Sequence, residues 1–351
     1  MRLLIGGSPS KYFHLKEFGE SLTNFGSEYK LVLDTEIIDG FPSRKIQNWF
    51  QTRKKFNKII DDFKPDAIFV DRQTHFGIAA IKTGLPLFVH LRGDYWSEFK
   101  WARETLYKGM IMRTVLNEKN KIAERCFRES SCILPICNYL NNIVSSRYPN
   151  KRVTTLYQGI DPDKWFKSDG MNLKHPCVGL LQSANIWGKT KEMLTLENVI
   201  KSLPNVTFYW AGDGPYKKEV LSSLDKFENF IWLGQLEYPN VVRQFLSEID
   251  IYALISGIDM SPLTLQEAQL MEKPVLATNV GGIPELMKDQ DTGYLVEKGD
   301  SQNIIDKILM LLDSPSKSKK MGINGRNYVK QNFSWEIIAK NFLESTSTII
   351  N

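Results

Sequence analysis

Residues 250–285 read DIYALISGIDMSPLTLQEAQLMEKPVLATNVGGIPE, and this stretch decides the fold. It begins with an apolar run, DIYALIS (250–256), which is typical of a buried strand. LTLQEAQLMEK (263–273) follows with helical spacing, and PVLAT (274–278) is a second apolar run. A strand, a helix and a strand in this order indicate a unit of a parallel sheet covered by helices.

The same alternation continues along the rest of the chain. Further predicted strands lie at 2–5, 29–33, 66–70, 86–90, 131–135, 152–156, 177–181, 206–212, 229–234 and 293–296. The polar stretch WFKSDGMNLKHP (165–176) interrupts the pattern and is interpreted as a linker. We therefore predict an α/β protein with two doubly wound, Rossmann-like parallel-sheet domains that face a central cleft. Ligands of such sheets bind beyond the carboxyl ends of the strands.

Composition and length agree with a globular protein of two domains. The chain has 351 residues, of which 42% are apolar and 24% charged. It contains no apolar run long enough for a membrane-spanning helix, and its first residues do not resemble a signal peptide. We therefore expect an intracellular, cytoplasmic protein. The cysteines are expected to be buried, reduced thiols, because they form no CxxC pair and we identify no histidine at ligand spacing; they are Cys126, Cys132, Cys137 and Cys177.

Charge is divided unevenly between the two halves. Residues 1–168 hold 27 Lys and Arg against 18 Asp and Glu, whereas residues 169–351 hold 18 against 22. A basic first half suggests an anionic partner, such as a phosphate-bearing acceptor or an anionic membrane surface; a solvated basic face without a partner is the alternative. Nucleic acid is not expected, because the chain has no recognisable binding module. The segment 95–128 mixes aromatic and basic side chains and could lie on a membrane, although covering the sheet is the alternative.

The loop and helix start in the opening stretch form a candidate anion site. A helix start offers free N–H groups and a partial positive charge at the end of the preceding strand. The residues expected to line it are Met260, Ser261, Pro262, Leu263 and Thr264. Asp259 precedes the helix and Glu267 lies about one turn inside it, so both carboxylates could accept hydrogen bonds from hydroxyl groups. A nucleotide joined to a sugar fits this arrangement; a capping Asp and a solvated Glu are the alternative.

The same stretch resembles the donor-binding signature of the retaining glycosyltransferases of family 4, also called glycosyl transferases group 1. That signature is an acid, seven residues and a Glu, followed by AMAxGKPVIATxxGGxPE; here Asp259 and Glu267 are followed by AQLMEKPVLATNVGGIPE. LYQGIDPDKWF (156–166), WAGDGPYKKEV (210–220), IWLGQL (231–236) and NFSWEIIAKNF (332–342) resemble further family segments in the same order. The resemblance is strong from about residue 151 and thin before it.

This resemblance implies the GT-B fold. It predicts an acceptor-binding domain of residues 1–168 plus 334–351, a donor-binding domain of residues 169–333, and a last helix that crosses back to the first domain. The implied activity is a metal-independent, retaining transfer of a sugar from a nucleotide-diphosphate sugar, with UDP or GDP expected, to a lipid-linked or glycan acceptor. No cofactor is expected.

The resemblance also implies roles for individual residues. Glu267 would bind the ribose hydroxyls, Asp259 the hydroxyls of the donor sugar, and Lys189 the diphosphate, with Lys191 as its substitute. His90 would face the donor sugar, and a satisfied core histidine is the alternative. Gly6 and Gly7 would admit the diphosphate to the backbone. The candidate catalytic residues are His90, Lys189, Asp259 and Glu267; the candidate donor-binding residues are Gly6, Gly7, Lys191, Gln235, Leu236, Met260, Ser261, Pro262, Leu263 and Thr264.

The chain departs from the family pattern at three places. The first acid is Asp259 instead of Glu, Met260 to Pro262 replace the usual GFG, and VGLLQSAN (178–185) lacks the usual phosphate-binding Arg. Lys191 or Arg92 is a candidate substitute for this Arg. These departures keep two alternatives open: a non-catalytic relative that binds a nucleotide sugar or glycan, and a sugar-nucleotide epimerase. DPD (161–163) and DQD (289–291) are interpreted as turns, not as metal sites.

Overall fold

The computed structural model describes residues 1–43, 45–50 and 52–350. The chain divides into two compact units. The first unit comprises Met1–Gly159 and Trp335–Asn351, and the second comprises Ile160–Ser334. Among the described residues, no helix is both long and apolar enough to cross a bilayer.

The first unit is built on a five-stranded parallel sheet with the order β2-β1-β3-β4-β5. Its strands are β1 Arg2–Gly7, β2 Glu28–Leu33, β3 Ala67–Asp71, β4 Leu87–Leu91 and β5 Cys132–Pro135. Its helices are α1 Tyr12–Thr23, α2 Asp34–Ile37, α3 Lys54–Phe63, α4 His75–Ile81, α5 Tyr95–Thr105, α6 Met110–Glu129, α7 Asn138–Arg147 and the last helix of the chain, α15 Trp335–Ile350.

The last helix completes the core of the first unit. Phe342 of α15 is fully buried, and its ring lies 5.3 to 5.9 Å from the rings of Phe18, Phe69 and Phe88. At the start of the same helix, the indole N–H of Trp335 donates to Glu17 Oε2 at 2.7 Å. The predicted return of the final helix to the first domain is thus confirmed.

The second unit is built on a six-stranded parallel sheet with the order β11-β10-β9-β6-β7-β8. Its strands are β6 Cys177–Leu181, β7 Thr207–Ala211, β8 Phe230–Gly234, β9 Ile251–Leu254, β10 Val275–Thr278 and β11 Gly293–Val296. Its helices are α8 Trp187–Thr190, α9 Leu196–Ser202, α10 Lys217–Leu224, α11 Asn240–Glu248, α12 Leu263–Leu270, α13 Ser301–Leu312 and α14 Pro315–Phe333.

The strands of the second unit are apolar because helices cover the sheet. β7 and β9 are buried along their whole length, and Trp210 and Tyr252 are among the largest fully buried side chains. Strands buried on both faces need continuous apolar runs, which is the pattern seen in the sequence.

Two sequence-based expectations are wrong. Residues 152–156 form an isolated bridge, Ile133 to Val153, in place of a full strand, although the N–H groups of Thr154 and Leu156 donate to carbonyls of β5 at 3.1 and 2.8 Å. The units divide at residues 159 and 160, whereas the predicted boundary was at 168 and 169. The reason is that residues 160–168 pack within the second unit, where Arg326 bonds the carbonyl of Trp165 and Ser168 N–H donates to Ser247. The predicted linker therefore lies inside this unit.

Candidate active site

An open pocket in the second unit lies at the carboxyl ends of its central strands. It holds about 1070 Å³ of empty space, including its mouth. β6, β7 and β8 lead into its lining loops, and α12 supplies two further side chains. The lining residues are Leu181, Gln182, Ser183, Asn185, Ala211, Gly212, Asp213, Gly214, Gln235, Leu236, Tyr238, Val242, Thr264 and Glu267. This is the edge where parallel sheets bind ligands.

Glu267 presents a buried carboxyl group to this pocket. Its side chain is almost fully buried, and the Tyr238 hydroxyl donates to Glu267 Oε1 at 3.3 Å. Burial raises the pKa of Glu267 to about 8, against the lowering effect of the Tyr238 hydrogen bond. A carboxylate with so little solvation is stabilised when hydroxyl groups of a ligand donate hydrogen bonds to it.

The start of α12 forms part of the pocket wall. Pro262 precedes the first residue of the helix, Leu263, and the Tyr252 hydroxyl donates to Thr264 Oγ1 at 2.8 Å. The Ser261 hydroxyl oxygen is buried and has no hydrogen-bond partner within the described part of the chain. Met260 is buried. A buried hydroxyl beside the free amides of a helix start can serve a polar ligand.

Lys189 and Asp259 form an ion pair. Lys189 Nζ lies 2.8 Å from Asp259 Oδ2, and Asp259 Oδ1 also accepts the Met260 N–H at 2.8 Å. The loop that carries Asp259 is joined to α8, which carries Lys189, by the backbone hydrogen bond from Gly257 N–H to the carbonyl of Lys189, at 3.0 Å. An ammonium group has three protons, so Lys189 can bond Asp259 and an anionic oxygen together.

The Gly-Gly turn at 281–282 holds the backbone of Asp259. Gly282 N–H donates to the Asp259 carbonyl at 2.8 Å. Gly281 has φ +58°, and a Cβ added there would lie 2.1 Å from the same carbonyl oxygen. Only glycine combines this left-handed conformation with so close an approach.

The structure places only part of the predicted site of the second unit in the pocket lining; Lys189, Asp259 and residues 260–263 are not among the lining residues. Glu267, Thr264, Gln235 and Leu236 line the pocket. Lys191 is exposed at the start of the short helix Lys191–Thr195 and does not line it.

Several lining residues were not predicted from the sequence. Asp213 belongs to the GDGP turn and accepts the Gly214 N–H at 2.6 Å. Gln182 and Asn185 lie in the segment after β6, and Tyr238 follows β8. The GDGP turn was a signal for Asp213, whereas no motif indicated Tyr238.

His90 belongs to a buried network of the first unit. Its Nδ1 lies 3.2 Å from Asp71 Oδ1, and its Nε2 lies 3.2 Å from the carbonyl of Leu156. The Arg92 guanidinium bonds both Asp71 and Gln158. Burial lowers the pKa of His90, against the raising effect of Asp71. Burial alone would raise the pKa of Asp71, but His90 and Arg92 lower it to about 2. Both nitrogens of His90 therefore have partners within this unit.

Gly6 and Gly7 end β1 of the first unit, where packing explains them. A Cβ at Gly6 would lie 2.7 Å from the ring of Phe76, and one at Gly7 would lie 2.0 Å from Leu15. Glycine therefore lets α1 and α4 approach the sheet closely. Whether their backbone also meets a diphosphate stays a prediction.

The two DxD sequences form turns. Asp161 caps the short helix Pro162–Lys164 by accepting the Asp163 N–H at 3.0 Å. Asp289 accepts the Leu295 N–H at 2.9 Å and so closes the turn before β11. This confirms the interpretation of both sequences as turns.

Residues 178–314 match the family model described as "Glycosyl transferases group 1". The matched range includes the pocket, Lys189, Asp259 and Glu267.

Curated relatives match over part of their length. The N-acetyl-alpha-D-glucosaminyl L-malate synthase of Bacillus anthracis is 28% identical over 206 residues, which are 55% of this chain and 53% of the relative. A GDP-mannose-dependent monoacylated alpha-(1-6)-phosphatidylinositol monomannoside mannosyltransferase of Corynebacterium glutamicum is 31% identical over 169 residues, which are 45% and 44% of the two chains. The chain thus spans about half the length of these relatives.

Solved structures are similar over nearly the whole chain. A sucrose-phosphate synthase of Thermosynechococcus elongatus has a TM-score of 0.75 and 14% identity over 99% of both chains. The Anabaena protein HepE, solved in complex with UDP, has a TM-score of 0.71 and 17% identity over 99% of this chain and 100% of its own. At this identity the likeness concerns the fold alone, and it confirms the predicted GT-B fold with two Rossmann-like units.

Proposed function

We propose that this chain, whose second unit belongs to the group 1 glycosyltransferases, transfers a sugar from a nucleotide-diphosphate sugar to a glycan or lipid-linked acceptor with retention of configuration. The observation that carries the proposal is the pocket of the second unit, with the buried carboxyl group of Glu267 in its wall. Ribose offers two adjacent hydroxyl donors to such a carboxylate. We expect UDP or GDP as the nucleotide.

The neighbouring residues support the rest of the donor. Gln235 and Leu236 follow β8 in the pocket lining and would contact the base. The diphosphate would lie near the start of α12, where the amides and the unpartnered Ser261 hydroxyl can donate. Lys189 would compensate for the negative charge that grows on the departing diphosphate. Asp259, held by Lys189 and the Gly-Gly turn, would accept hydrogen bonds from the donor sugar.

In a single displacement, retention requires attack on the face from which the nucleotide leaves. In the proposed reaction the acceptor oxygen forms its bond to the anomeric carbon while the bond to the phosphate oxygen breaks. The leaving phosphate takes the acceptor proton. No cofactor or metal is needed in this scheme, because Lys189 and the start of α12 supply the positive potential. The catalytic role of His90 stays a prediction.

Thermal unfolding with a panel of ligands tests the donor site. We expect UDP, GDP or their sugars to raise the Tm of wild type, because a ligand that binds only the folded state stabilises it by mass action. Glu267→Ala should lose this shift. Glu237→Ala is a matched control. Glu237 lies between the lining residues Leu236 and Tyr238 in the sequence, but it is exposed and does not line the pocket. No shift with any nucleotide would contradict the proposal.

A non-catalytic sugar-binding relative is the second candidate. It is favoured by the pocket lining, in which the described residues include no Lys or Arg to meet a phosphate. Transfer or slow donor hydrolysis that disappears in Glu267→Ala would exclude this candidate. Product analysis without an acceptor would separate an epimerase, which converts the donor alone.

An exposed apolar tip in the first unit supports an acceptor carried by an anionic membrane. Where α5 ends and α6 begins, Leu106, Met110 and Ile111 are 61%, 87% and 80% exposed. The exposed basic residues Arg103, Lys108 and Arg113 lie on the same segment. Apolar side chains flanked by cations suit the interface of an anionic bilayer. The protein would thus work as a cytoplasmic, peripheral membrane enzyme.

Flotation with liposomes tests this surface. We expect binding to vesicles with phosphatidylserine and weaker binding to neutral vesicles. Met110→Ser with Ile111→Ser should reduce it, whereas Met310→Ser, at an exposed methionine of the second unit, should not. No binding of wild type at moderate salt would contradict a membrane-linked acceptor and leave a soluble glycan acceptor.

A further inference from the structure

A second cluster of chemically active side chains lies at the opposite end of β6. His175, Cys177 and Asp250 form the one group of candidate metal ligands found among the described residues, with their ligand atoms within 4.8 Å of one another. Cys177 begins β6 and Asp250 immediately precedes β9, the neighbouring strand. The cluster is therefore at the amino ends of two strands, whereas the nucleotide pocket lies at the carboxyl ends of the sheet.

The distances fit a small cation. His175 Nδ1 lies 2.8 Å from Asp250 Oδ2 and 3.7 Å from Cys177 Sγ. Ligand atoms around a tetrahedral zinc ion, with metal–ligand bonds of about 2.0 to 2.3 Å, lie roughly 3 to 4 Å apart. Asp250 Oδ2 also accepts the Cys177 N–H at 2.7 Å, which holds this carboxylate beside the thiol. A water molecule would complete the set from the exposed side of His175.

The other ring nitrogen of His175 has the partner that metal-bound histidines need. His175 Nε2 lies 2.9 Å from Glu248 Oε1. Histidines bound to metals usually donate their second N–H to a carboxylate, which orients the ring. Gly170 leaves room for this carboxylate, since a Cβ there would lie 1.7 Å from Glu248 Oε2.

Charge and access also suit a divalent cation. With Cys177 as a thiolate, the cluster and Glu248 carry three negative charges. Lys273, whose Nζ bonds the Ser247 carbonyl, is a nearby cation that offsets one of them. The net charge of −2 that remains would be balanced by a cation of charge +2. An open pocket lined by His175, Asp250 and Lys273 offers an entry path.

We propose that His175, Cys177 and Asp250 bind a zinc-type divalent ion, oriented by Glu248, that fastens the amino ends of β6 and β9. The proposal is independent of the transfer activity and departs from the sequence-based expectation of no metal.

Cobalt substitution tests the site with a direct signal. The full-length protein is stripped with a chelator and titrated with Co²⁺. We expect one equivalent to produce a thiolate-to-cobalt absorption band and the visible bands of tetrahedral cobalt. Zn²⁺ should remove these bands and raise the Tm of the stripped protein. Only the spectrum of aqueous cobalt, with no change in Tm, would overturn the proposal.

Variants assign the band to the named residues. Cys177→Ser should abolish it, whereas Cys132→Ser, at another buried free thiol, should retain it. If Cys177→Ser fails to fold, His175→Gln at an exposed position replaces it, and an unchanged band in that variant would overturn the proposal. Glu248→Gln should keep the band but weaken affinity roughly 10- to 100-fold.

Discussion

At the scale of single residues, Glu267 links folding to ligand binding. Burial raises the pKa of its carboxyl group to about 8, so the folded protein holds this proton more tightly than an unfolded chain does. As the pH rises from the unfolded pKa towards 8, the unfolded chain ionises while the folded protein keeps the proton, so the stability falls progressively across this range. Hydroxyl donors on a ligand would solvate the ionised form and recover part of this loss.

We expect nucleotide affinity to increase with pH. Below about pH 8 most Glu267 is protonated, and binding in the accepting form must remove this proton. Isothermal titration should therefore show a dissociation constant roughly 25-fold lower near pH 8.5 than near pH 6.5, with proton release. The same experiment on Glu267→Gln should give weak binding that changes little with pH, while Glu237→Gln should behave as wild type. Equal affinities of wild type at both ends of the range would refute this role.

The types and the order of residues in the sequence predicted part of this site, whereas the other site residues could be identified only from the folded structure. Asp259 and Glu267 were found because they lie on one strand–helix unit, where sequence spacing translates into position. Tyr238 and Gln182 come from loops after different strands and meet Glu267 only when the sheet is assembled. The sequence also could not predict the ion pair between Lys189 and Asp259, because the two residues are 70 positions apart in the chain and meet only in the folded unit.

At the scale of elements, the apolar runs predicted strands well. A strand that is buried on both faces needs apolar side chains at nearly every position, so it appears in the sequence as a continuous apolar run. The segment 152–156 has a similar pattern and donates backbone hydrogen bonds to β5, but it completes only an isolated bridge, because an apolar pattern alone does not specify how far two strands pair. The domain boundary was misplaced for a related reason. Polar, irregular residues are typical of linkers, yet here Lys164 and Trp165 offer carbonyls to Arg243 and Arg326 of the second unit.

The Gly-Gly turn after β10 is expected to control the loop that carries Asp259. Gly281→Ala places a Cβ against the Asp259 carbonyl in a left-handed conformation. We expect the change to weaken binding of the nucleotide sugar more than binding of the free nucleoside diphosphate, because the displaced Asp259 is proposed to bind the sugar. Competition binding with both ligands measures this difference.

Gly299→Ala provides the matched control for this turn. Gly299 has φ +80°, and no atom lies within 4 Å of a Cβ added there. Alanine at this position should therefore lower the free energy of unfolding only by the cost of the left-handed backbone, about 1 to 2 kcal/mol. Its donor affinity should equal that of wild type, while Gly281→Ala should unfold more readily than this control. If both variants bind and unfold alike, the contact with Asp259 is unimportant.

At the scale of the whole molecule, the two units are joined twice along the chain. The first unit is discontinuous in sequence, because α14 ends the second unit at Ser334 and α15 then contributes to the first core. The first unit therefore cannot complete its core until the second has been synthesised. The core of the first unit therefore depends on the last helix of the chain as well as on its first strand, β1.

Replacing Phe342 tests this dependence. Phe342→Ala removes a ring from the cluster with Phe18, Phe69 and Phe88, and truncations of this kind cost about 3 to 5 kcal/mol. Calorimetry should show a lowered transition for the first unit, while the transition that responds to nucleotide, assigned to the second unit, stays near its wild-type temperature. Lys340→Ala, at an exposed position of the same helix, should leave both transitions unchanged. A nucleotide-responsive transition that falls as far as the other in Phe342→Ala would mean that the units unfold as one cooperative body, and α15 would then stabilise the entire chain instead of the first unit alone.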